Sequence, residues 1–314
     1  MTSQYAPDDI RSRLAGVPAL SSDPNAPIKE SQWIEFLTGE PTAITVRGSR
    51  TWNARSATLV ISYTEAKAGD TLERVHQPDE YALLQYPGSA RVRACAGDAS
   101  EVIDEGAFVV IPPGESRVEV LEDGPVVRLF SVLAEDLLSN LMNGGAYEEP
   151  DVRAASLGEW PDPVGGFRLR VYLLRDHPIA EGRFGRIFRT TNLMVNFLGE
   201  EPRPRDPHKL SPHHHDDFEQ VSFAVRGEFV HHIRYPWGSD STRWRPDEHR
   251  QIGSPSICII PPPTIHTTQG IGEYQQLIDI FSPPRIDFSA SGWVLNAADY
   301  PSPPGVDAPG EASQ

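Results

Sequence analysis

The chain repeats itself, and the repeat restricts what it can fold into. Residues 55–63, RSATLVISY, return as RTTNLMVNF at 189–197, an offset of 134. ERVHQPDEYALLQYPG, which ends at Gly88, returns as SPHHHDDFEQVSFAVRG at an offset of 139, setting His76 on His215, Glu80 on Glu219 and Gly88 on Gly227. VVIPPGESR at 109–117 matches CIIPPPTIH at 258–266, an offset of 149, and Phe130-Ser131 matches Phe281-Ser282 at 151. Each step in the offset is an insertion in a loop of the second copy, EEPRPRDPHKL or YPWGSDSTRW, and ordered matches with insertions confined to loops mean duplication. The repeated runs are short, apolar and bounded by turn residues, and the chain holds 30 prolines and 25 glycines, which fits a turn-rich all-β architecture better than a helical one.

The repeat divides the chain into an N-terminal arm, 1–45, a first domain, 46–133, a helix and connector, 134–180, a second domain, 181–290, and a C-terminal tail, 291–314. Short helices are expected at 8–14, 31–37 and 134–142, the last ended by Gly144-Gly145, and residues 305–314 are too polar and Pro/Gly-rich to order. With 28 basic against 44 acidic residues, the formal charge of −16 argues against nucleic acid or an anionic membrane surface as partner. Cys95 and Cys258 lie on different halves in strand-like surroundings, so both read as reduced core residues. No basic region followed by an apolar run opens the sequence, and no stretch approaches the ~18 apolar residues of a membrane span, making the cytoplasm the default.

The chemistry concentrates in the second copy. His213 and His215 are two apart, so on an extended backbone both imidazoles point to one face, and Glu219 returns to that face. Two imidazoles and a carboxylate suit a first-row divalent metal; a solvated, acidic His-rich loop is the alternative. About forty residues downstream, SICIIPPPTIH is an apolar strand that ends in a Pro-rich turn carrying His266.

Together the two segments resemble the paired motifs of the cupin superfamily: H-x-H, three or four residues, E, six residues, G, and then P-x-G, two residues, H. Here they read His213, His215, Glu219 and Gly227, then Pro261, Pro263 and His266. Pro263 stands where the family has Gly, and seven residues rather than six separate Glu219 from Gly227, which leaves open whether Gln220 takes the family's Glu position. Strand alternation favours Glu219, because its face continues as Val221, Phe223 and Val225, the apolar residues expected inside a barrel. In the first copy the corresponding positions hold Arg74, His76 and Arg117, and two guanidiniums would repel a metal. His76 and Glu80 then read as a retained hydrogen-bonded pair.

The resemblance implies an all-β fold of two cupin double-stranded β-helices, jelly-roll barrels with a few short helices. It implies one divalent transition metal per chain on His213, His215, Glu219 and His266, with Fe(II) first and Mn, Ni, Zn or Cu possible, and no organic cofactor. The activity it points to first is an Fe(II)-dependent dioxygenase acting on a small oxygen-bearing substrate, aromatic or oxo acid, with Glu219 doubling as a proton acceptor. A redox-neutral isomerase, lyase or epimerase on a sugar or oxo acid is the alternative, and a non-catalytic ligand-binding bicupin a second. Cupins commonly pair through barrel edges, so a homodimer is expected. Arg189 and Arg234 could hold a substrate carboxylate, although Arg189 matches Arg55 of the first copy, which suits a structural role equally. Tyr235, Trp237 and Trp244 lie in the inserted loop as a lid or as plain loop packing, His214 faces outward, and one of His231 and His232 faces the cavity or is a cross-strand histidine.

Overall fold

The computed structural model describes residues 26–303. The helix expected at 8–14 and the tail from 304 onward lie outside them. Strands dominate, all ladders are antiparallel, and the one α-helix among the described residues is Ile286–Ala290. No helix there is long and apolar enough to cross a membrane.

Each copy forms a large sheet and a small one. In the first, Ala107–Ile111, Tyr81–Gln85, Gly124–Ser131, Leu59–Ala66 and Arg50–Arg55 lie side by side; in the second, Ser256–Ile260, Gln220–Arg226, Gln276–Phe281, Met194–Leu198 and Gly185–Arg189 take the same order. The small sheets are Thr71–Gln77, Gly114–Val120, Val92–Ala96 and Ala99–Ile103 in the first copy, and Glu248–Ile252, Phe229–Arg234 and Ile265–Gly270 in the second. The pairing registers match as well: Arg128 lies opposite Leu83 and Ser62, and Asp279, 151 residues on, lies opposite Ser222 and Asn196.

The outer strand of each large sheet comes from outside its own repeat. Gln32–Glu35 of the arm pairs with Ser256–Ile260 of the second copy, and Arg170–Leu173 of the connector pairs with Ala107–Ile111 of the first. The helix expected at 31–37 is therefore a strand followed by a 3-10 turn, Phe36–Thr38. Alternation explains the change: Ile34 and Phe36 enter the central core while Trp33 faces the other way, against Ile233, Tyr235, Cys258 and Ile260. At 134–142 only a 3-10 segment forms, Glu135–Ser139, without a side-chain cap; Leu137, Leu138 and Leu141 pack on the first barrel, and so short a segment has no helical stability of its own.

The two large sheets pack face to face, and their shared core unites Ala82, Leu84, Leu129 and Ile61 of the first copy with Val221, Phe223, Ile259 and Ile278 of the second. Phe36 stands at the seam, fully buried, stacked on Tyr63 at 5.1 Å and edge-on to Phe223 at 6.3 Å. The first barrel's interior is one continuous apolar cluster, whereas the second's apolar interior residues fall into separate groups, with polar side chains between them. Phe36→Ala should lower the free energy of unfolding by about 3–5 kcal/mol, the usual cost of a buried Phe truncation, as measured by denaturant titration.

Candidate metal centre

The polar gap inside the second barrel is built by three chain segments. His213 and His266 face each other across a bridge in which each backbone N–H donates to the other's carbonyl, at 3.0 and 2.7 Å. His266 sits on Ile265–Gly270, where it pairs with Ile233. The ligand-type atoms of His213, His215 and His266 all lie within 4.8 Å of one another, and their ring centroids are 4.3–5.3 Å apart. Nδ1 of His213 is 3.0 Å from the Ser211 carbonyl and Nδ1 of His266 is 2.9 Å from that of Thr264. A carbonyl only accepts, so both Nδ1 atoms carry the proton and both Nε2 atoms present lone pairs, the arrangement in which histidines ligate metals.

The polar side chain beside the three histidines is Gln220, not Glu219. Gln220 Oε1 lies 3.0 Å from His215 Nε2 and 3.4 Å from His266 Nε2. Donors ~2.1 Å from one ion and at right angles stand ~3 Å apart, so this spacing suits neighbouring ligands. The orientation of the amide is fixed from behind: its Nε2 donates to Asp279 Oδ1 at 3.1 Å and to Ser222 Oγ at 2.8 Å, and Ser222 itself donates to Asp279 at 2.8 Å. A carboxylate can only accept, so the amide oxygen must face the histidines. His215 is 7% exposed and His266 2%. Burial, then Arg285 and the neighbouring histidines, hold the His215 pKa well below its usual value, leaving the ring neutral as a ligand must be.

Glu219 points out of the barrel and into the other copy. Its Oε2 accepts from the Ala57 backbone N–H at 2.6 Å, and the Tyr147 hydroxyl donates to the carboxylate at 2.9–3.0 Å. Burial pushes its pKa up to about 8, against the pull of the Ala57 N–H, with Asp151 adding to the rise. The expectation of an inward Glu219 equated the apolar face of the strand with the barrel interior. Here Val221 and Phe223 pack against the first copy, and Gln220, Ser222 and Ala224 line the inside.

The first copy mirrors the outward contact. Glu80 accepts from the Thr191 N–H at 3.1 Å, from its hydroxyl at 2.7 Å and from the Tyr300 hydroxyl at 2.8 Å, and Thr191 lies 134 residues after Ala57. Glu80 is thus bonded to the second copy rather than to His76, which is exposed and has φ 59°. Position 117 is also not the counterpart of His266. A bulge between Gly114 and Ser116 shifts the register so that Ser116 lies opposite Arg74, as His266 lies opposite His213, and the Arg117 side chain is 53% exposed.

The residues expected to bind substrate are occupied elsewhere. Arg189 is 1% exposed, donates to the carbonyls of Tyr300, at 2.8 Å, and Pro301, and lies 4.2 Å over Trp160, so it secures the C-terminal stretch. Arg234 points outward and pairs with Asp247 at 2.5 Å. Tyr235 is buried in the second barrel with its hydroxyl accepting from the Ser31 N–H at 2.8 Å. Trp237 and Trp244 stack at 4.3 Å, 69% and 44% exposed, without Tyr235. His214 pairs with Asp216, and His232 lies on the outer face beside His249. His231 faces inward, 1% exposed; Nδ1 is 3.0 Å from Thr268 Oγ1, Nε2 has no partner among the described residues, and burial pushes its pKa down to about 3. Strand alternation with Phe229 and Ile233 was the signal for it.

No family model and no curated protein matches the sequence. Solved structures match the fold. The Lactobacillus farciminis oxalate decarboxylase in complex with formate superposes with a TM-score of 0.54 at 14% identity, over 87% of this chain and 89% of that one. An oxalate decarboxylase studied for its substrate binding mode and a switch of reaction specificity gives 0.55 at 15% over 83% and 79%, and a single-residue variant of the Bacillus subtilis enzyme 0.54 at 14% over 82% and 78%.

Gln220→Ala should weaken metal binding by more than the ~10–100-fold typical of removing a partner behind a ligand, read as metal content after dialysis. Glu219→Ala should keep near-normal metal content and lose ~1–3 kcal/mol of stability by orphaning buried donors. Because the Glu219 carboxyl has its folded pKa raised, its contribution is full below the unfolded value and is lost as pH rises through about 8. The stability of the wild type relative to Glu219→Gln should accordingly fall between roughly pH 5 and pH 9 in denaturant titrations.

Proposed function

We propose that this chain, which has the duplicated cupin fold, is a metal-dependent enzyme whose second barrel holds one divalent transition metal and turns over a small oxygen-bearing anion. The observation that carries the reading is the convergence of three imidazoles, His215 and His266 buried and His213 half-buried, beside an amide oxygen whose orientation Asp279 enforces. His213, His215, His266 and Gln220 would hold the ion, which when bound supplies a Lewis acid with open positions for substrate or dioxygen. All four donors are neutral, so the dication keeps its charge toward the cavity and an anionic oxygen donor is the substrate group it favours. Asp279, one hydrogen bond behind Gln220, balances part of that charge.

The remaining side chains assign the other roles. His231, with its free Nε2 in the same interior, is the group placed to exchange a hydrogen bond or proton with bound substrate; Glu219, turned to the other copy, is not. Phe218 stacks on His215 at 4.5 Å, and the Arg285 guanidinium lies 4.9 Å over the Phe218 ring, closing this side of the site. Arg285 is itself held by a two-pronged ion pair with Asp287.

Fe(II) with dioxygen remains the first reading of the chemistry, because a nitrogen- and oxygen-ligated iron with open positions supports oxygenase reactions. A redox-neutral lyase or isomerase is the second, and the likeness in fold to oxalate decarboxylases favours it. Elemental analysis with oxygen uptake separates the two. Apo protein should saturate near one equivalent of metal and keep that stoichiometry in His76→Ala; iron with oxygen consumption supports the first reading, and Mn, Zn or Ni without it the second. A chain that binds no transition metal would overturn both.

A further inference from the structure

The first barrel has reversed the sign of its interior. Where the second copy carries His213 and Asp279, the same positions of the first hold Arg74 and Arg128. Arg74 has acceptors: it forms a two-pronged pair with Asp136 at 2.6 and 2.9 Å and donates to Gln77 at 2.8 Å. Arg128 has none. It is 7% exposed, sits on the inner face with Val126 and Phe130, and its Nε and Nη1 are buried without a hydrogen-bond partner; no ion pair reaches it among the described residues. The Phe130 ring, 5.4 Å from its guanidinium, and the Tyr81 hydroxyl give only partial compensation.

Nearby polar groups are engaged or are themselves donors. Ser62, opposite Arg128, donates to Asn53 at 2.5 Å, and the Tyr81 hydroxyl is paired with Ser116 at 3.0 Å. Gln85 shares the inner face, two residues along the strand from Leu83, which lies opposite Arg128, so it is a diagonal neighbour. It is 2% exposed and its Nε2 is also without a partner. The orphaned polar atoms on this wall are thus all N–H donors, two of them on a guanidinium whose charge is costly to bury unpaired.

We propose that the first barrel binds a small oxyanion on Arg128 and Gln85, a carboxylate or phosphate of a few atoms. The unpaired Nε and Nη1 of Arg128 and Nε2 of Gln85 match an acceptor-only ligand. The surrounding apolar cluster limits the ligand to a small one. The duplicated chain then holds a cation site in one barrel and an anion site in the other.

The test is the melting temperature of the full chain in chloride, formate, acetate or phosphate at constant ionic strength. At least one oxyanion should raise it saturably, and which one does so distinguishes carboxylate from phosphate. Arg128→Met should lower the affinity at least tenfold, and His266→Ala, in the other barrel, should leave it unchanged. If Arg128→Met does not fold, Gln85→Leu, which keeps the charge, should weaken the same titration several-fold. No saturable shift in the wild type, retention of full affinity in Arg128→Met or in Gln85→Leu, or loss of the response in His266→Ala would each overturn the proposal.

Discussion

Both faces of the large sheets are buried, one inside its own barrel and one against the other copy. That double burial decides which side chains can serve a site. A half-solvated sheet shows polar residues outward and apolar residues inward. In Gln220–Arg226 the order is reversed, because the face with Val221 and Phe223 meets the first copy and the face with Gln220 and Ser222 lines the second barrel. The polar side chains there are retained inside the protein, where each unpaired one is expensive, and they are paired into a connected set running from Asp279 through Gln220 to the histidines.

Much of this was legible in the sequence. Duplication, the all-β class and the three histidines follow from matched runs and spacing, and the structure brings His213, His215 and His266 together. The orientation of residues 219 and 220 was not legible from alternation, since period two separates faces without saying what covers each. Spacing to Gly227 pointed to Gln220, and the structure follows the spacing. The equivalence of Ser116 with His266 was hidden by a bulge that shifts the register by one, which a gapless alignment of VVIPPGESR with CIIPPPTIH cannot show. Arg189, Arg234 and Tyr235 carried the right chemistry for a substrate, yet their partners, the carbonyls near Tyr300, Asp247 and the Ser31 N–H, lie 111, 13 and 204 residues away, beyond what local pattern can pair.

The two outward carboxylates tie the halves reciprocally. Glu219 holds the loop at Ala57 and Glu80 holds its counterpart at Thr191, each with a tyrosine from outside the repeats, Tyr147 or Tyr300, donating to it. Because Glu219 is the backbone neighbour of Gln220, the first copy contributes to fixing the amide beside the three histidines although it keeps only one histidine of its own motif. Its role toward the histidine cluster of the second barrel is that of a rigid mount.

The exchange of outer strands gives the duplicated chain a property that its repeat alone would not suggest. A cut in the connector after Leu173 would leave the strand Gln32–Glu35 on the first fragment, although its ladder partner, Ser256–Ile260, is on the second. The first fragment would keep its own sheet and carry a strand without a ladder partner, and the second would expose a bare, apolar sheet margin. The second half is thus completed by a strand that lies at the far end of the sequence, so separating the halves would cost it an edge.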